Sequence, residues 1–493
     1  MKYKYVVIGA GAAGLVVAIG LAKAKKKVLL IESNLFGGDC TNFGCIPSKT
    51  LIASSKIAHS IKNAKDFGIN FKIDNSRIDG SRTDGSRIED SRIIDSDIDT
   101  TNVFKRVRDT IEKIRLTEDQ SALKKIGVDT LKAKASFKTD KIIETVDEDG
   151  QKKVIFAKKI VIATGSVPFI PPINGLDKTP FDTNETIFNL EKIPKSLTIL
   201  GAGAIGSELS LAFQRLGCQV NLIDLAPKIL FNEDIDASKT LKAIFKEEKI
   251  SLYLNSSVES VNYQNDSFEI IVKNSANGYV SQVKSENFLV ATGRRANLKN
   301  LNLENAGIDY SSNGIEIDIF ARTNKKHIFA IGDCTGDPFF THKAEHMARS
   351  VLFTLLVPVL KKKISLSLMP RVTFTDPEVA SIGLTQMQAI EKYSKKHIAT
   401  YFVSFDTLDR AICENEKNGF VKIVTHKFSG EILGACIVAK RAGEMLSEII
   451  LSMKKHIKIH SLANIIYPYP TYSLAIRKAA DKYLTETIFK RKK

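Results

Sequence analysis

Cysteine is scarce in this chain and tryptophan is absent: the 493 residues include six cysteines and no Trp. Six cysteines cannot supply the dense disulfide framework of a small secreted domain. A chain of this length buries enough apolar surface for about three domains without one. The sequence therefore favours a cytosolic protein, in which two closely spaced cysteines are usually catalytic or metal-binding.

Long apolar runs are also missing. The segment VLFTLLVPVL at 351–360 is too short to cross a bilayer. The N-terminus has the basic start and apolar middle of a signal peptide, but glycines interrupt it and lysines follow where a cleavage site would lie. We therefore expect a soluble, cytoplasmic protein without a membrane partner.

Acidic residues are outnumbered, with 55 Asp and Glu against 72 Lys and Arg, which gives a net charge of +17. Such a charge can attract nucleic acid or an acidic surface, or it can be a solvated lysine-rich surface. No helix-turn-helix, zinc finger or aromatic-rich single-strand motif accompanies it. The sequence favours the solvated surface, and nucleic-acid binding stays the alternative.

Two glycine-rich loops have the spacing of dinucleotide-binding folds. In YVVIGAGAAGL (5–15), a strand leads into Gly-x-Gly-x-x-Gly and an apolar helix, and the next strand, VLLIE, ends in an acid. The first glycine permits a tight turn, the second lets the backbone approach a pyrophosphate, and the third lets helix pack on strand. The acid can bind a ribose hydroxyl. The segment at 197–224 repeats this pattern. The residues concerned are Gly9, Gly11, Gly14 and Glu32, and then Gly201, Gly203, Gly206 and Asp224.

Two such units in one chain indicate two dinucleotides and hydride transfer between them. Asp224 would repel a 2′-phosphate, so the sequence favours NADH over NADPH. Strands at 158–168 and 287–297 both contain Ala-Thr-Gly, and HIFAIGDCTG runs into Asp333. An acid at that strand end could accept hydrogen bonds from a sugar or ribitol hydroxyl, or it could be an ordinary turn residue.

One charged segment has no pattern of apolar residues that would place it in a hydrophobic core. NSRIDGSRTDGSRIEDSRIIDSD (75–97) is a charged, near five-residue repeat in which Ser-Arg recurs at 76, 81, 86 and 91. No period of two or 3.6 is sustained, so we expect a solvated, disordered insertion in a surface loop. An Arg-rich binding arm is the alternative.

The cysteine pair lies in GGDCTNFGCIPSK (37–49), where four residues separate Cys40 from Cys45. Buried structural thiols and a zinc site are the alternatives to a redox pair. Zinc needs further ligands, and His59 is the only candidate nearby. A redox disulfide on the first turns of a helix fits better, because the helix N-terminus and Lys49 both stabilise a thiolate. We expect no structural metal.

The motifs together resemble the FAD-dependent pyridine nucleotide–disulfide oxidoreductases of class I, which include lipoamide dehydrogenase, glutathione reductase and mercuric reductase. GGDCTNFGCIPSK is similar to their active-site signature, and the resemblance covers nearly the whole chain except 75–97. It implies an α/β protein with two Rossmann-like domains and a C-terminal α+β dimerisation domain. The implied segments are 1–165 and 291–365 for FAD, 166–290 for NAD(P)H, and 366–493 for a homodimer interface.

The resemblance also implies roles for single residues. Lys49 would lie near flavin N5, paired with Glu208, and backbone near Ala133 would contact the adenine side. Electrons would pass from NADH through flavin to the Cys40–Cys45 disulfide. Cys45 would be the thiolate beside the flavin, and Cys40 the thiol that meets the substrate. The implied FAD residues are Gly9, Gly11, Gly14, Glu32, Lys49, Ala133, Thr164, Gly165 and Asp333. The implied NAD(P)H residues are Gly201, Gly203, Gly206, Asp224 and Gly293.

The expected substrate depends on the C-terminal segment IIYPYPTYSLAIRKAA (465–480). Disulfide-reducing relatives carry a His-Pro-Thr…Glu motif there, supplied by the partner subunit, in which the His is the acid–base group. Tyr469 stands at the His position and Leu474 at the Glu position, while His456 and His460 are out of register. The departure disfavours small disulfides as substrates.

Mercuric reductases also lack that histidine, and their Phe-Pro-Tyr-Leu-Thr run is similar to 467–471. Soft metal ions need thiolate ligands, so the sequence favours Hg(II) as the substrate at Cys40 and Cys45. Two departures weaken this similarity: no cysteine follows Cys436 in the sequence, and we expect no N-terminal metal-binding domain. The remaining cysteines, Cys218, Cys334, Cys413 and Cys436, are expected to be buried structural thiols.

Two alternatives stay open. KAEHMA (343–348) and RAGEMLSE (441–448) look similar to lipoamide dehydrogenase, so a reductase of a small disulfide or of a quinone is the alternative within enzymes. A flavoprotein whose main role is binding, through its basic charge, is the alternative from another class.

Overall fold

The computed structural model describes residues 1–70 and 98–492. The predicted insertion at 75–97 lies outside the described residues, so its prediction is not tested. Strand–helix–strand units form at the two glycine-rich segments, and runs of consecutive strands follow at 129–168 and at 251–330. Residues 371–439 are again mainly strands.

The first sheet has seven strands in the order β3-β2-β1-β6-β5-β4, with β18 paired to β6. Its parallel strands are apolar and buried over their C-terminal parts, at residues 5–8 of β1, 28–31 of β2 and 160–162 of β6, as a parallel sheet covered on both faces requires. β18 joins the sheet although the whole second nucleotide-binding unit intervenes in the sequence. The strands are β1 Lys2–Ile8, β2 Val28–Glu32, β3 Asp129–Lys132, β4 Lys134–Thr139, β5 Ile142–Val146, β6 Lys152–Ile162 and β18 Ile328–Ala330.

A second, parallel sheet of four strands has the order β10-β9-β8-β14, and a three-stranded antiparallel sheet, β11-β12-β13, packs beside it. The short strands β7 and β15 pair where the two nucleotide-binding units meet. These strands are β7 Ser166–Pro168, β8 Ser196–Leu200, β9 Gln219–Ile223, β10 Ser251–Tyr253, β11 Ser256–Gln264, β12 Ser267–Asn274, β13 Val280–Ser285, β14 Asn287–Val290 and β15 Arg294–Ala296. A small hairpin, β16 Tyr310–Ser311 and β17 Gly314–Ile315, follows.

The C-terminal part is an antiparallel sheet of five strands in the order β19-β20-β23-β22-β21. One hydrophobic cluster contains Leu51, Phe213 and Val438, so this part shares a core with both nucleotide-binding units. The strands are β19 Arg371–Thr373, β20 Glu378–Gly383, β21 Ile398–Ser404, β22 Phe420–His426 and β23 Ile432–Ala439.

Thirteen α-helices lie among the described residues. Four of them carry the site: α2 and α3 hold the cysteines, α6 follows the second glycine loop, and α8 points its N-terminus at the cysteine pair. The helices are α1 Ala12–Lys23, α2 Gly38–Asn42, α3 Cys45–Lys62, α4 Thr100–Arg115, α5 Gln120–Ile126, α6 Ala204–Arg215, α7 Ile235–Glu247, α8 Thr341–Leu356, α9 Gln386–Tyr393, α10 Asp409–Cys413, α11 Ala442–Lys454, α12 Ile459–Leu462 and α13 Leu474–Tyr483.

Among the described residues, none of the helices has both the length and the apolar character that are needed to span a membrane.

Candidate active site

The two cysteines lie on consecutive helices. Cys40 is in the short helix α2, which begins after Gly37 in a left-handed conformation, and Cys45 is the first residue of α3. Both are free thiols and partly buried. The sequence prediction of one helix for both is therefore correct for Cys45, whereas Cys40 has a helical turn of its own.

The pair has one acidic and one weakly acidic thiol. The pKa of Cys45 is lowered to about 6, chiefly by a hydrogen bond from Cys40 and further by the positive charge of Lys49, while burial opposes the shift. The same hydrogen bond, together with burial, raises the pKa of Cys40. At neutral pH the arrangement therefore holds Cys45 as a thiolate and Cys40 as its protonated donor.

Thr341 is a site residue that the sequence analysis missed. It opens α8, and its Oγ1 lies 3.6 Å from the Cys45 sulfur. Its hydroxyl also lowers the pKa of Cys45. The motif KAEHMA begins two residues later, so the available signal was the threonine two residues before that motif.

Lys49 and Glu208 form an ion pair between α3 and α6, with 2.7 Å between Lys49 Nζ and Glu208 Oε2. The other carboxylate oxygen accepts a hydrogen bond from the backbone N–H of Phe374 at 2.8 Å. The Lys49 ammonium also lies 4.6 Å from the centre of the Phe374 ring. Phe374, which the sequence analysis did not single out, thus joins the pair from the C-terminal part.

The first glycine loop has the geometry that a dinucleotide needs. Gly9 has φ +104°, and a Cβ on Gly14 would lie 1.8 Å from the Gly9 carbonyl oxygen. A Cβ on Gly11 would have no neighbour closer than 3.8 Å, so backbone here is open to a ligand. Glu32 accepts hydrogen bonds from the backbone N–H of Ala10 at 2.7 Å and that of Asn34 at 2.8 Å.

The second loop repeats this geometry residue for residue. Gly201 has φ +111°, a Cβ on Gly206 would lie 1.8 Å from the Gly201 oxygen, and a Cβ on Gly203 would meet nothing within 4 Å. Asp224 accepts from the backbone N–H of Ala202 and of Ala226. The protein therefore offers two cradles that are open at the second glycine, which fits FAD and a nicotinamide dinucleotide.

Asp333 lies in the short 3-10 helix Gly332–Thr335 that follows β18, within a chain of polar contacts that leads towards the cysteines. Its carboxylate accepts from Ser166 Oγ at 2.7 Å, Ser166 accepts from Arg294 Nε at 2.7 Å, and Arg294 pairs with Asp39 at 3.1 Å. Burial raises the pKa of Asp333. Neither Ser166 nor Arg294 was singled out from the sequence.

The remaining predicted cofactor residues lie at the edges of the same sheets. Ala133 is buried, and its N–H donates to the carbonyl of Glu32. Thr164 Oγ1 donates to the carbonyl of Asn297 at 2.8 Å. Gly165, with φ +71°, and Gly293, with φ +134°, have nothing within 4 Å of a Cβ position. The structure therefore places all four on backbone turns next to the two cradles, and their roles stay predictions.

Tyr469 lies on the surface of the C-terminal part, with 70 % of its area exposed. Its hydroxyl donates to Asp409 at 2.8 Å, and this hydrogen bond raises the pKa of Tyr469. The neighbouring Ile466 is 96 % exposed, whereas Leu474 is buried at the start of α13. The structure does not bring Tyr469 to the cysteine pair of its own chain.

The expectation that Cys413 is a buried structural thiol is wrong. Cys413 ends the short helix α10 and is exposed, whereas Cys218, Cys334 and Cys436 are buried. Burial raises the pKa of each of these three thiols. In residues 1–70 and 98–492, the structure contains no cluster of three or more His, Cys, Asp or Glu that could hold a metal ion.

The comparisons with known proteins assign the family. Residues 3–348 match the pyridine nucleotide-disulphide oxidoreductase family, and residues 369–480 match the dimerisation domain of the same family. The chain belongs to the pyridine nucleotide-disulphide oxidoreductases. This family uses FAD and NAD(P)H, so the predicted family, fold class and cofactors are confirmed. The dimerisation domain supports a homodimer.

Relatives within the family differ in substrate. A mercuric reductase of Lysinibacillus sphaericus is 32 % identical over 481 residues, which cover 97 % of this chain and 82 % of that protein. A dihydrolipoyl dehydrogenase of Corynebacterium glutamicum is 31 % identical, covering 97 % of both chains. Among solved structures, a Cu(II) complex of the flavoprotein disulfide reductase RclA from Escherichia coli is similar, with a TM-score of 0.83 and 25 % identity over 98 % of this chain and 99 % of that one. An oxidoreductase acting on a sulfur group is thereby supported.

Proposed function

We propose that this pyridine nucleotide-disulphide oxidoreductase takes electrons from NADH and delivers them, through Cys40 and Cys45, to a soft metal ion. Hg(II) is the substrate that we favour. NADH is oxidised to NAD⁺ with release of one proton, and Hg(II) is reduced to Hg(0) by the same two electrons. Bound FAD supplies the hydride-accepting chemistry between the nicotinamide and the cysteine pair.

The observation that carries the choice of a metal ion is the state of Tyr469. Thiol–disulfide exchange needs a group that takes and returns a proton near neutral pH. Tyr469 occupies the position of the family's histidine, but its hydroxyl donates to Asp409 and its pKa is raised. A phenol ordinarily has a pKa of about 10 and so keeps its proton near neutral pH, and the hydrogen bond to Asp409 raises the pKa of Tyr469 further. Metal-ion reduction needs sulfur ligands and no such base.

The cysteine pair suits a soft cation. The Cys45 thiolate supplies the charged ligand, and binding of a metal ion displaces the proton from Cys40 to create a second one. Lys49 lies close enough to contribute to the low pKa of Cys45, and Glu208 holds the ammonium in place. We propose that Lys49 and Glu208 position charge beside the flavin and that the two glycine loops hold FAD and NADH respectively.

A homodimer would complete the site. Tyr469 and Ile466 are exposed on the C-terminal part, as residues that face a second subunit would be. We propose that the active site is finished by Tyr469 of the partner subunit. Cu(II) is a further candidate substrate, because the similar RclA structure is a Cu(II) complex.

Dihydrolipoamide oxidation or reduction of lipoamide is the second candidate within enzymes. It is favoured by the full-length similarity to a dihydrolipoyl dehydrogenase and by the motifs at 343–348 and 441–448. The absence of a histidine at position 469 opposes it. A mainly binding role for the basic chain, with a net charge of +17, is the candidate from another class.

The test is an anaerobic titration of the purified protein with NADH, followed by Hg(II), Cu(II) or lipoamide in separate cuvettes. We expect NADH oxidation with a metal ion, none with lipoamide, and none with any acceptor in Cys45→Ser. Turnover with lipoamide alone would show that Tyr469 does not prevent disulfide exchange and would overturn the metal proposal. If none of the three acceptors supports NADH oxidation, the binding role is tested instead, by measuring how the affinity for DNA depends on salt concentration.

A further inference from the structure

The helices α3 and α6 are joined at two levels that are seven residues apart on both of them. Lys49 meets Glu208 at the first level, and Lys56 and Arg215 meet at the second through a shared carboxylate. Seven residues are about two turns, or about 10 Å, so each pair lies on the same helix face as its predecessor. The two helices therefore pack side by side and run in the same direction.

The shared carboxylate at the second level is Asp376, which belongs to the C-terminal part. Its Oδ2 lies 2.6 Å from Arg215 Nη1, and its Oδ1 lies 3.5 Å from Lys56 Nζ. Arg215 also donates to the Asp376 carbonyl at 3.3 Å, and to Glu248 at 2.8 Å. Because the Arg215 side chain is only 4 % exposed, these carboxylates neutralise a buried charge.

The two levels are connected by one short segment, 374–376. Its first residue, Phe374, donates its N–H to Glu208 and places its ring 4.6 Å from the Lys49 ammonium. Its last residue, Asp376, bonds α3 through Lys56 and α6 through Arg215. A segment of three residues that is held at both ends has little freedom, so the position of one end constrains the other.

We propose that Asp376 is a positioning residue, which anchors segment 374–376 to both helices and so holds Glu208 and Lys49 in place beside the cysteine pair. When the carboxylate charge is removed, the 3.3 Å bond from Arg215 to the Asp376 carbonyl is the main remaining anchor of this end, so Phe374 can shift its N–H away from Glu208 and its ring away from Lys49. The Lys49 ammonium then loses the contacts that fix its distance from the reacting groups. Asp376 thus acts through Lys49, although it lies two helical turns away from it.

The experiment is a double-mutant cycle between Asp376→Asn and Lys49→Met. The first readout is the rate at which NADH reduces the flavin of the holoenzyme, which rests on the proposed function. A displacement of a catalytic group by about 1 Å costs up to about a hundredfold, so we expect a fall of roughly tenfold in Asp376→Asn. In the Lys49→Met background the same substitution should change the rate by less than about twofold, because the group that it positions is gone.

The second readout needs neither cofactor nor activity. In the apoprotein, each variant should lower the melting temperature. The sum of the two single-variant losses should exceed the loss in the double variant by about 2 °C, because Asp376 and Lys49 belong to one network of contacts. If the wild-type protein binds no FAD or is not reduced by NADH, the proposed function fails, while this cycle still tests the coupling. Equal rate losses in both backgrounds, or additive melting temperatures, would overturn the role of Asp376.

If Asp376→Asn fails to fold, Lys56→Gln is a milder variant. Lys56 is partly exposed, and this substitution removes only the contact of Asp376 with α3. It should slow flavin reduction severalfold and lose that effect in the Lys49→Met background. Lys62→Gln is the matched control, with the same charge change on the same helix at an exposed position. Asp236→Asn, which breaks a different pair with Lys422, controls for a general loss of contacts to the C-terminal part. A slower rate in either control would contradict the proposal.

Discussion

The low pKa of Cys45 can be tested by changing the group that donates to it. Cys40→Ser keeps a hydroxyl donor at the position of the thiol, whereas Cys40→Ala removes the donor and leaves Lys49 and Thr341 unchanged. Because the hydrogen bond from Cys40 is the largest cause of the lowered pKa of Cys45, the two variants should differ. The comparison isolates one hydrogen bond, since both substitutions remove the second sulfur.

The size of the difference follows from hydrogen-bond energies. A hydrogen bond to a charged group is worth about 1.5–3 kcal/mol, and about 1.4 kcal/mol corresponds to one pKa unit. Loss of the donor should therefore raise the pKa of Cys45 by about one to two units above that in Cys40→Ser. Since the native pKa is about 6, Cys40→Ser should titrate near that value, and Cys40→Ala at about 7 to 8.

Two optical signals report this titration. The charge-transfer absorbance of the oxidised flavin beside a thiolate should be present above the midpoint and should fade as the pH falls through it. The far-ultraviolet absorbance of the thiolate gives the same midpoint in the apoprotein, where no flavin is needed. Cys45→Ser is the control: it should lack the charge-transfer absorbance and should lose the thiolate titration step near the native midpoint, while the exposed Cys413 thiol remains in every variant. Equal midpoints in Cys40→Ser and Cys40→Ala would refute the hydrogen bond as the cause of the low pKa.

Three further predictions concern the cradles and the C-terminal part. Gly206→Ala should lower the melting temperature of the apoprotein, because its Cβ would lie 1.8 Å from a carbonyl oxygen. At Gly203 a Cβ has room, so Gly203→Ala should leave the melting temperature unchanged but raise the KM for NADH about tenfold or more. Asp224→Ala should lower the ratio of kcat/KM for NADH to kcat/KM for NADPH. An unchanged ratio would show that Asp224 does not select the dinucleotide. Tyr469→His should give measurable lipoamide turnover while NADH oxidation with Hg(II) is retained; no gain would mean that more than the base is missing.

Local backbone requirements made much of the site predictable from the sequence. The spacing of Gly9, Gly11 and Gly14 predicts where the chain turns, where a ligand approaches the backbone and where the helix packs on the strand. All three positions lie within six residues. The cysteine signature is local in the same sense. Patterns of this kind are recognisable because the residues that interact are close together in the chain.

Thr341, Phe374 and Asp376 could not be found in the same way. Thr341 and Phe374 contact the site from segments about 300 residues beyond Cys45, and Asp376 contacts the helices behind it. The contacts of all three depend on how separate units pack together. Cys413 shows the opposite failure. Its predicted burial was inferred from residue type alone, but it ends a short helix at the surface, where the surrounding fold decides exposure.

The place of β18 in the first sheet has a consequence for how the protein is made. The C-terminal half of β6 pairs with β18 at residues 160–162, and β18 is the strand 328–330. A ribosome that adds roughly 5 to 20 residues per second needs about 10 to 30 seconds to reach β18 after it has finished β6. During that interval the nascent first unit carries an unpaired strand edge, of the kind that recruits other chains. The second nucleotide-binding unit leaves the ribosome in the same interval, so it can fold before β18 has been synthesised and added to the first sheet.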